Sequence, residues 1–161
     1  MRKKSIELLN KSIAEEMSAL NQYMFFHFHC DDQDYSLLSA LFKKVAIEEM
    51  IHVENLADRI LFLKGEIIMD ASQKVKQITD VKGMLQFAID SEEEAIRDYN
   101  LWAIECSANA DSVTKSLFES LVVDEERHYG IFDGEMDKLK KFGDQYLALQ
   151  SIEGSKALGQ V

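Results

Sequence analysis

The sequence predicts an all-α chain: a four-helix bundle with one long crossover and a short fifth helix near the C-terminal end. Three observations carry that expectation. Proline is absent from all 161 residues, so nothing locks φ or removes a backbone donor in any segment. Leu, Ala, Glu, Lys and Met, which favour helix, recur throughout. Apolar residues fall into four long stretches of helical spacing separated by polar breaks.

The first stretch runs from about Ser5 to Cys30, with Ser5 as a candidate N-cap and apolar positions at Leu8, Leu9, Ile13, Met17, Leu20 and Met24. Asp31-Asp32-Gln33-Asp34 breaks it and is placed to cap the second helix. That second helix runs from about Tyr35 to Lys64, with Gly65 as its expected left-handed terminator. The third starts after Asp80 and reaches about Ala108; Asn109 to Ser112 form the next turn and cap. The fourth continues to about Phe142 and stops at Gly143. Gly130 and Gly134 lie inside it, which implies a bend or close packing. A short amphipathic helix over about 144–153 comes last.

Short breaks within each half make two helical hairpins. The link from Gly65 to Thr79 is 15 residues long, enough for about 50 Å when extended. The second helix is only about 45 Å long. The link can therefore cross the bundle and set helices two and three parallel. The whole chain, 1–161, is expected to be one domain, with the bundle over about 5–142.

A formal net charge of −11 argues against nucleic acid as a partner and for small cations. Apolar residues at 47% and charged residues at 29% describe a globular chain, not a disordered one. No apolar run approaches the roughly 18 residues of a membrane span. Met1 to Leu9 is basic and then amphipathic, without an apolar core or cleavage site, so no signal peptide is expected. Cys30 and Cys106 form neither a CxxC nor a zinc-ligand set, and free thiols fit a reducing cytoplasm.

The two halves repeat at an offset of 76 residues: Glu16 matches Glu92, Tyr23 matches Tyr99, Cys30 matches Cys106, Glu49 matches Glu125, and His52 matches His128. Each half thus reads Glu-x6-Tyr and then Glu-x-x-His, the mark of a duplicated unit. Glu16 and Glu49 stand equally far from the first turn, as do Glu92 and Glu125 from the second, so each pair should meet at mid-bundle. The i,i+3 spacing puts Glu49 with His52, and Glu125 with His128, on one helix face. Closing the hairpins would bring four carboxylates and two imidazoles together. Carboxylates that deep cannot all stay ionised without cations. Oxygen and imidazole ligation suits iron or manganese better than a structural zinc ion. A lone Glu-x-x-His is commonplace; two copies in register with two turns select these six residues.

Tyr23 and Tyr99 are either ordinary core tyrosines or donors that fix the orientation of the carboxylates. Glu15, Glu48, Glu93, Glu94 and Glu126 read as solvated faces or outer partners. His27 falls on the bundle face and His29 does not, so they form no ligand pair and should pack near the end of the first helix. The cysteines lie about 21 Å along their helices from Glu16 and Glu92, at opposite ends, out of disulfide reach.

NKSIAEEMSALNQY at Asn10–Tyr23, EEMIH with LADRILFLKGE after it, DEERH at Asp124–His128 and LKKFGDQYLALQ near the end resemble bacterioferritin, over nearly the whole chain. The resemblance implies a ferritin-like fold, a hollow 24-subunit shell and a ferroxidase centre of two iron ions in each subunit. It implies Glu49 and Glu125 as bridging ligands, and Glu16 with His52 and Glu92 with His128 as terminal ones. It also implies haem b shared between two subunits, with Met50 as one axial ligand. Met50 sits about 100° from Glu49 on its helix, so it cannot face the metal pair. Lys44 departs from the family, since an acidic or histidine side chain there would favour iron passage inward.

The expected activity is oxidation of Fe(II) by oxygen or peroxide, followed by iron storage in the cytoplasm. A rubrerythrin-like peroxide reductase would share the same six ligands, but the chain has no CxxC pairs for an electron-delivering iron. A haem-bridged structural dimer or helical interaction module is a third, non-catalytic class; it would fold normally without metal and oxidise no iron.

Overall fold

The computed structural model describes the backbone of residues 2–159. Five helices succeed one another: α1 Arg2–Asp32, α2 Ser36–Phe62, α3 Val81–Ala108, α4 Ser112–Phe142 and α5 Asp144–Leu158. Helix α1 packs along α2 and α3 along α4, while α1 meets α3 and α2 meets α4 across the bundle.

Side-chain pairing fixes the directions. Along α1, Ser12, Tyr23 and Cys30 meet Tyr99, Glu92 and Met84 of α3, so partner numbers fall as α1 numbers rise. Along α2, Glu48, His52 and Arg59 meet His128, Asp124 and Thr114 of α4 in the same inverse order. Both cross-bundle pairs are antiparallel, which makes α2 and α3 parallel, as the crossover length requires.

The crossover keeps its backbone satisfied by lying along α1. Asn10 exchanges hydrogen bonds with the backbone of Glu66 and Ile68 at 2.9 and 2.8 Å. Ser18 accepts from the Gln73 backbone N–H at 3.0 Å. Gln22 both donates to the Lys76 carbonyl, at 3.0 Å, and accepts from its N–H, at 2.8 Å. Polar side chains of one helix thus do for an extended segment what a neighbouring strand would otherwise do.

The ends of the helices differ from expectation in four places. Helix α1 begins before Ser5, which is buried inside the helix and donates to Asp111 instead of capping. The left-handed residue that follows α2 is Lys64, φ 61°, and not Gly65; Gly65 and Lys64 donate back to the Ile60 and Leu61 carbonyls. Gly65 serves close packing, since a Cβ there would come within 2.8 Å of Ile6. No side chain of the Asp31–Asp34 break caps α2; Gln150 of α5 accepts from the Leu38 N–H at 3.1 Å. Helix α5 runs on to Leu158, longer than the amphipathic pattern implied, with Gly154 close against Ser36. At Gly130 and Gly134, α4 is unbroken, and a Cβ at either would meet nothing within 4 Å.

Asp80 and Asp111 cap α3 and α4, accepting from the N–H groups of Gly83 and Thr114. Asp111 is also the centre of a buried clasp. It accepts from Ser5 at 2.7 Å, the Thr114 hydroxyl at 2.7 Å and Arg59 at 2.7 Å, tying together α1, α2 and the α3–α4 turn. Burial alone would raise its carboxyl; the Ser5, Thr114 and Arg59 bonds outweigh this and bring it down to about 2. The stability it contributes is therefore present above the unfolded value and lost as pH falls through about 2. Asp111→Ala leaves Arg59 without its carboxylate partner and should lower stability by about 3 kcal/mol, read by denaturant unfolding at neutral pH; a loss below about 1 kcal/mol would show that the clasp is incidental.

Candidate metal centre

The core divides into two apolar clusters. One gathers Tyr23, Phe26, Phe42, Met84 and Phe132; the other gathers Leu9, Ile13, Leu56, Tyr99 and Phe118. Between them lies a polar layer formed by Glu16 of α1, Glu49 and His52 of α2, Glu92 of α3, and Glu125 and His128 of α4, every one of them buried. The six residues selected by spacing are all here.

The two imidazoles present their Nδ1 atoms to the centre. His52 Nδ1 lies 2.9 Å from Glu49 Oε2, 3.3 Å from Glu125 Oε1 and 3.5 Å from Glu16 Oε1. His128 Nδ1 lies 2.9 Å from Glu125 Oε2, 3.2 Å from Glu49 Oε1 and 3.8 Å from Glu92 Oε2. Glu49 and Glu125 therefore each turn one oxygen to each imidazole, while Glu16 and Glu92 serve one side only. Two groups of ligand atoms result, Glu16-Glu49-His52-Glu125 and Glu49-Glu92-Glu125-His128, each with all its atoms within 4.8 Å of one another.

Charge in this layer is not balanced by the protein alone. Both oxygens of Glu49, Oε1 of Glu125 and Nδ1 of His52 are buried without a hydrogen-bond partner, a costly state unless something else binds them. Burial and the Glu16 and Glu92 charges push Glu49 up to about 7. Burial pushes Glu92 up to about 8 even with His128 beside it. Burial acts the same way on Glu16, but His52 and Tyr99 outweigh it and hold that carboxyl below its usual range. Burial would lower both imidazoles; the surrounding carboxylates override it and raise them strongly. Held this way, the layer stores protons where cations would fit. The orphaned oxygens and the mixed oxygen and imidazole donors suit two iron or manganese ions.

The tyrosines cross over between the hairpins. Tyr23 of α1 donates to Glu92 of α3, and Tyr99 of α3 donates to Glu16 of α1. Each ring sits in an apolar cluster and each hydroxyl reaches the polar layer, with Ser12 donating to Tyr99 at 3.1 Å. Each bond goes to the glutamate of the other half because α1 and α3 run antiparallel.

A further set of groups faces the outer nitrogens. Glu48 accepts from His128 Nε2 at 2.6 Å, and Asp124 lies 3.3 Å from His52 Nε2. With Nε2 bonded outward, loss of the Nδ1 proton to an incoming cation would turn the Nδ1 lone pairs inward as ligands. Asp124 escaped the sequence reading, although the repeat that pairs Glu49 with Glu125 also pairs Glu48 with Asp124. Arg127, which donates to Glu48 at 2.8 Å, has no such signal, since its counterpart is Ile51. On the opposite side a cavity of about 420 Å³ between α1 and α3 reaches Glu16, Glu49, Glu92 and Glu125. Partly buried Glu15 lines it too, pushed up to about 7 by burial and by Asp98.

Other sequence candidates lie apart. Met50 is 47% exposed on α2, between exposed Ile47 and Ile51. His27 Nδ1 lies 2.9 Å from the Ser39 hydroxyl and His29 packs on Phe25. Cys30 and Cys106 are free, buried and in different clusters; burial pushes Cys30 up to about 12. Among the described residues no helix is long and apolar enough to cross a membrane.

Residues 6–142 match the family profile described as a ferritin-like domain. Bacterioferritin of Desulfovibrio desulfuricans is 38% identical over 145 residues, which is 90% of this chain and 81% of that protein. Bacterioferritin of Brucella melitensis is 31% identical over 142 residues, 88% of each chain. A solved structure of the Desulfovibrio desulfuricans bacterioferritin, described by its diiron site in different catalytic states, superposes with a TM-score of 0.91 at 37% identity, over 93% of this chain and 88% of that one.

Metal binding here must displace protons from groups that titrate near 7 and 8. Raising the pH therefore favours loading. Anaerobic addition of Fe(II) at pH 7 should release protons, seen with an indicator dye, and affinity should rise about tenfold per pH unit for each proton released between pH 6 and 8. Affinity independent of pH over that range would contradict the proton-storing layer.

Proposed function

The chain belongs to the ferritin family, in its bacterioferritin branch, and from that premise we propose that Glu16, Glu49, His52, Glu92, Glu125 and His128 are the ligands of its ferroxidase centre. The protein stores iron and oxidises Fe(II) to Fe(III), and it works as an oligomer. Glu49 and Glu125, which face both ligand groups, would be the shared ligands of the iron pair, with Glu16 and His52 completing one position and Glu92 and His128 the other. The observation that carries this assignment is the set of orphaned inward oxygens on Glu49 and Glu125, shared between two ligand groups.

A bound iron pair would supply two electrons at once, to oxygen or to peroxide. With oxygen the overall reaction is 4 Fe²⁺ + O₂ + 4 H⁺ → 4 Fe³⁺ + 2 H₂O. The side chains provide the rest. The carboxylates neutralise ferric charge in a layer closed above and below by apolar clusters. Tyr23 and Tyr99 hold Glu92 and Glu16 in orientation, and Glu48 and Asp124 do the same for the imidazoles.

Several finer readings belong to the same proposal. The assembly is a 24-subunit shell in the cytoplasm, built from one ferritin-like domain per chain. Haem b would be held between two subunits by Met50 of each. An exposed thioether beside exposed Ile47 and Ile51 suits an apolar porphyrin edge. Without CxxC pairs to deliver electrons, the peroxide-reductase alternative has no support in this chain.

Stopped-flow oxidation of two Fe(II) per chain by dissolved oxygen tests the ligand assignment. Glu125→Ala should slow the fast phase by at least about 100-fold while the shell still assembles; an unchanged fast phase would place oxidation elsewhere. For the haem, Met50→Ala should abolish the Soret band of protein purified with haem supplied, and a retained band would exclude Met50.

A further inference from the structure

The internal repeat makes the two sides of the centre near copies, and Arg127 is a point where the copy breaks. Arg127 Nη2 donates to Glu48 Oε2 at 2.8 Å and lies 3.3 Å from Asp124 Oδ1 and 3.4 Å from His128 Nε2. Its counterpart in the other half, Ile51, has no polar group to offer. Resting on the dimetal reading above, we propose that Arg127 is a positioning residue that makes the two metal positions unequal, so that the position of Glu92 and His128 binds its ion more tightly than that of Glu16 and His52.

Restraint of the imidazole is the physical basis. Glu48 reaches across from α2 to His128 on α4, and its side chain has several rotamers to lose. Arg127 takes the same Oε2 that accepts from His128, and holds the glutamate where the 2.6 Å bond to the imidazole forms. The matching contact in the other half, Asp124 to His52, is 3.3 Å, beyond the usual N–H···O range of about 2.7–3.2 Å. Asp124 is also more exposed, at 43% against 23% for Glu48. The ring of His128 is thus hydrogen-bonded at both nitrogens, and that of His52 at Nε2 alone, across the longer 3.3 Å contact. A ligand already oriented loses less freedom on binding, and outer partners of metal-bound histidines are worth about 10- to 100-fold in affinity. The guanidinium charge acts in the opposite sense, since a cation near the site repels a metal ion. Restraint and repulsion therefore predict opposite results on removing Arg127.

Anaerobic Co(II) titration of chains reduced to one position each separates them. His52→Ala keeps the His128 position, and His128→Ala keeps the other. The His52→Ala chain should bind Co(II) at least about tenfold more tightly. Adding Arg127→Ile, which copies the other half, should weaken that binding about tenfold and change the His128→Ala chain by under about threefold. Arg127→Lys, which keeps charge without the planar fork, should fall between and guards against a folding defect. Equal affinities in the two single-position chains, or Arg127→Ile tightening binding or shifting both chains alike, would overturn the proposal. Uptake of fewer than two Co(II) by the wild-type chain would reject the dimetal reading itself, whatever Arg127 does.

Discussion

Four carboxylates and two imidazoles share one level of the bundle, with apolar clusters on both sides, and that concentration of buried charge constrains everything around it. Removing a single ionised carboxylate from water costs several kcal/mol even after relaxation. In this layer the cost is partly met by protons, which is why Glu49 and Glu92 titrate near 7 and 8. The remaining deficit appears as oxygens with no partner. A bundle of only apolar residues would be simpler to fold. Retaining this layer makes sense where a metal pair is the missing partner, which links stability, metal loading and catalysis through the same six side chains.

The duplicated architecture explains how one chain builds such a site. Each hairpin supplies one glutamate from its first helix and a Glu-x-x-His from its second. The crossover then turns the second hairpin so that equivalent residues face each other. The tyrosine exchange, Tyr23 to Glu92 and Tyr99 to Glu16, staples the hairpins at the level of the centre. Farther out, the Asp111 clasp at one end and the α5 contacts at the other hold the hairpin tips. The crossover itself is fastened by Asn10, Ser18 and Gln22, spaced so that they line one side of α1. It forms part of the wall of the cavity that reaches the carboxylates, through Ser72, Lys74 and Lys76.

Much of this was legible in the residues, for identifiable reasons. Ligand spacing is a local property: i,i+3 on a helix and equal distance from a turn survive any detail of packing, so Glu16, Glu49, His52, Glu92, Glu125 and His128 emerge together. The crossover is dictated by chain reach. What depends on contacts between helices was less visible. The partner of each tyrosine is set by the α1–α3 register, which no local pattern encodes. Ser5 looks like a cap, yet its hydroxyl serves Asp111 more than a hundred residues away. Lys64, and likewise Asp34 and Ala110, occupies a left-handed position where glycine is the usual choice. Asp124 was within reach of the repeat, whereas Arg127 departs from it and only the fold reveals its role.

Whether these six side chains enclose two metal ions is tested most directly by anomalous diffraction at the iron edge, from crystals of the assembled protein loaded anaerobically with Fe(II). Two peaks are expected in each subunit, both between Glu49 and Glu125, one beside His52 and one beside His128. A single peak there, or iron bound only outside that layer, would contradict the dimetal centre.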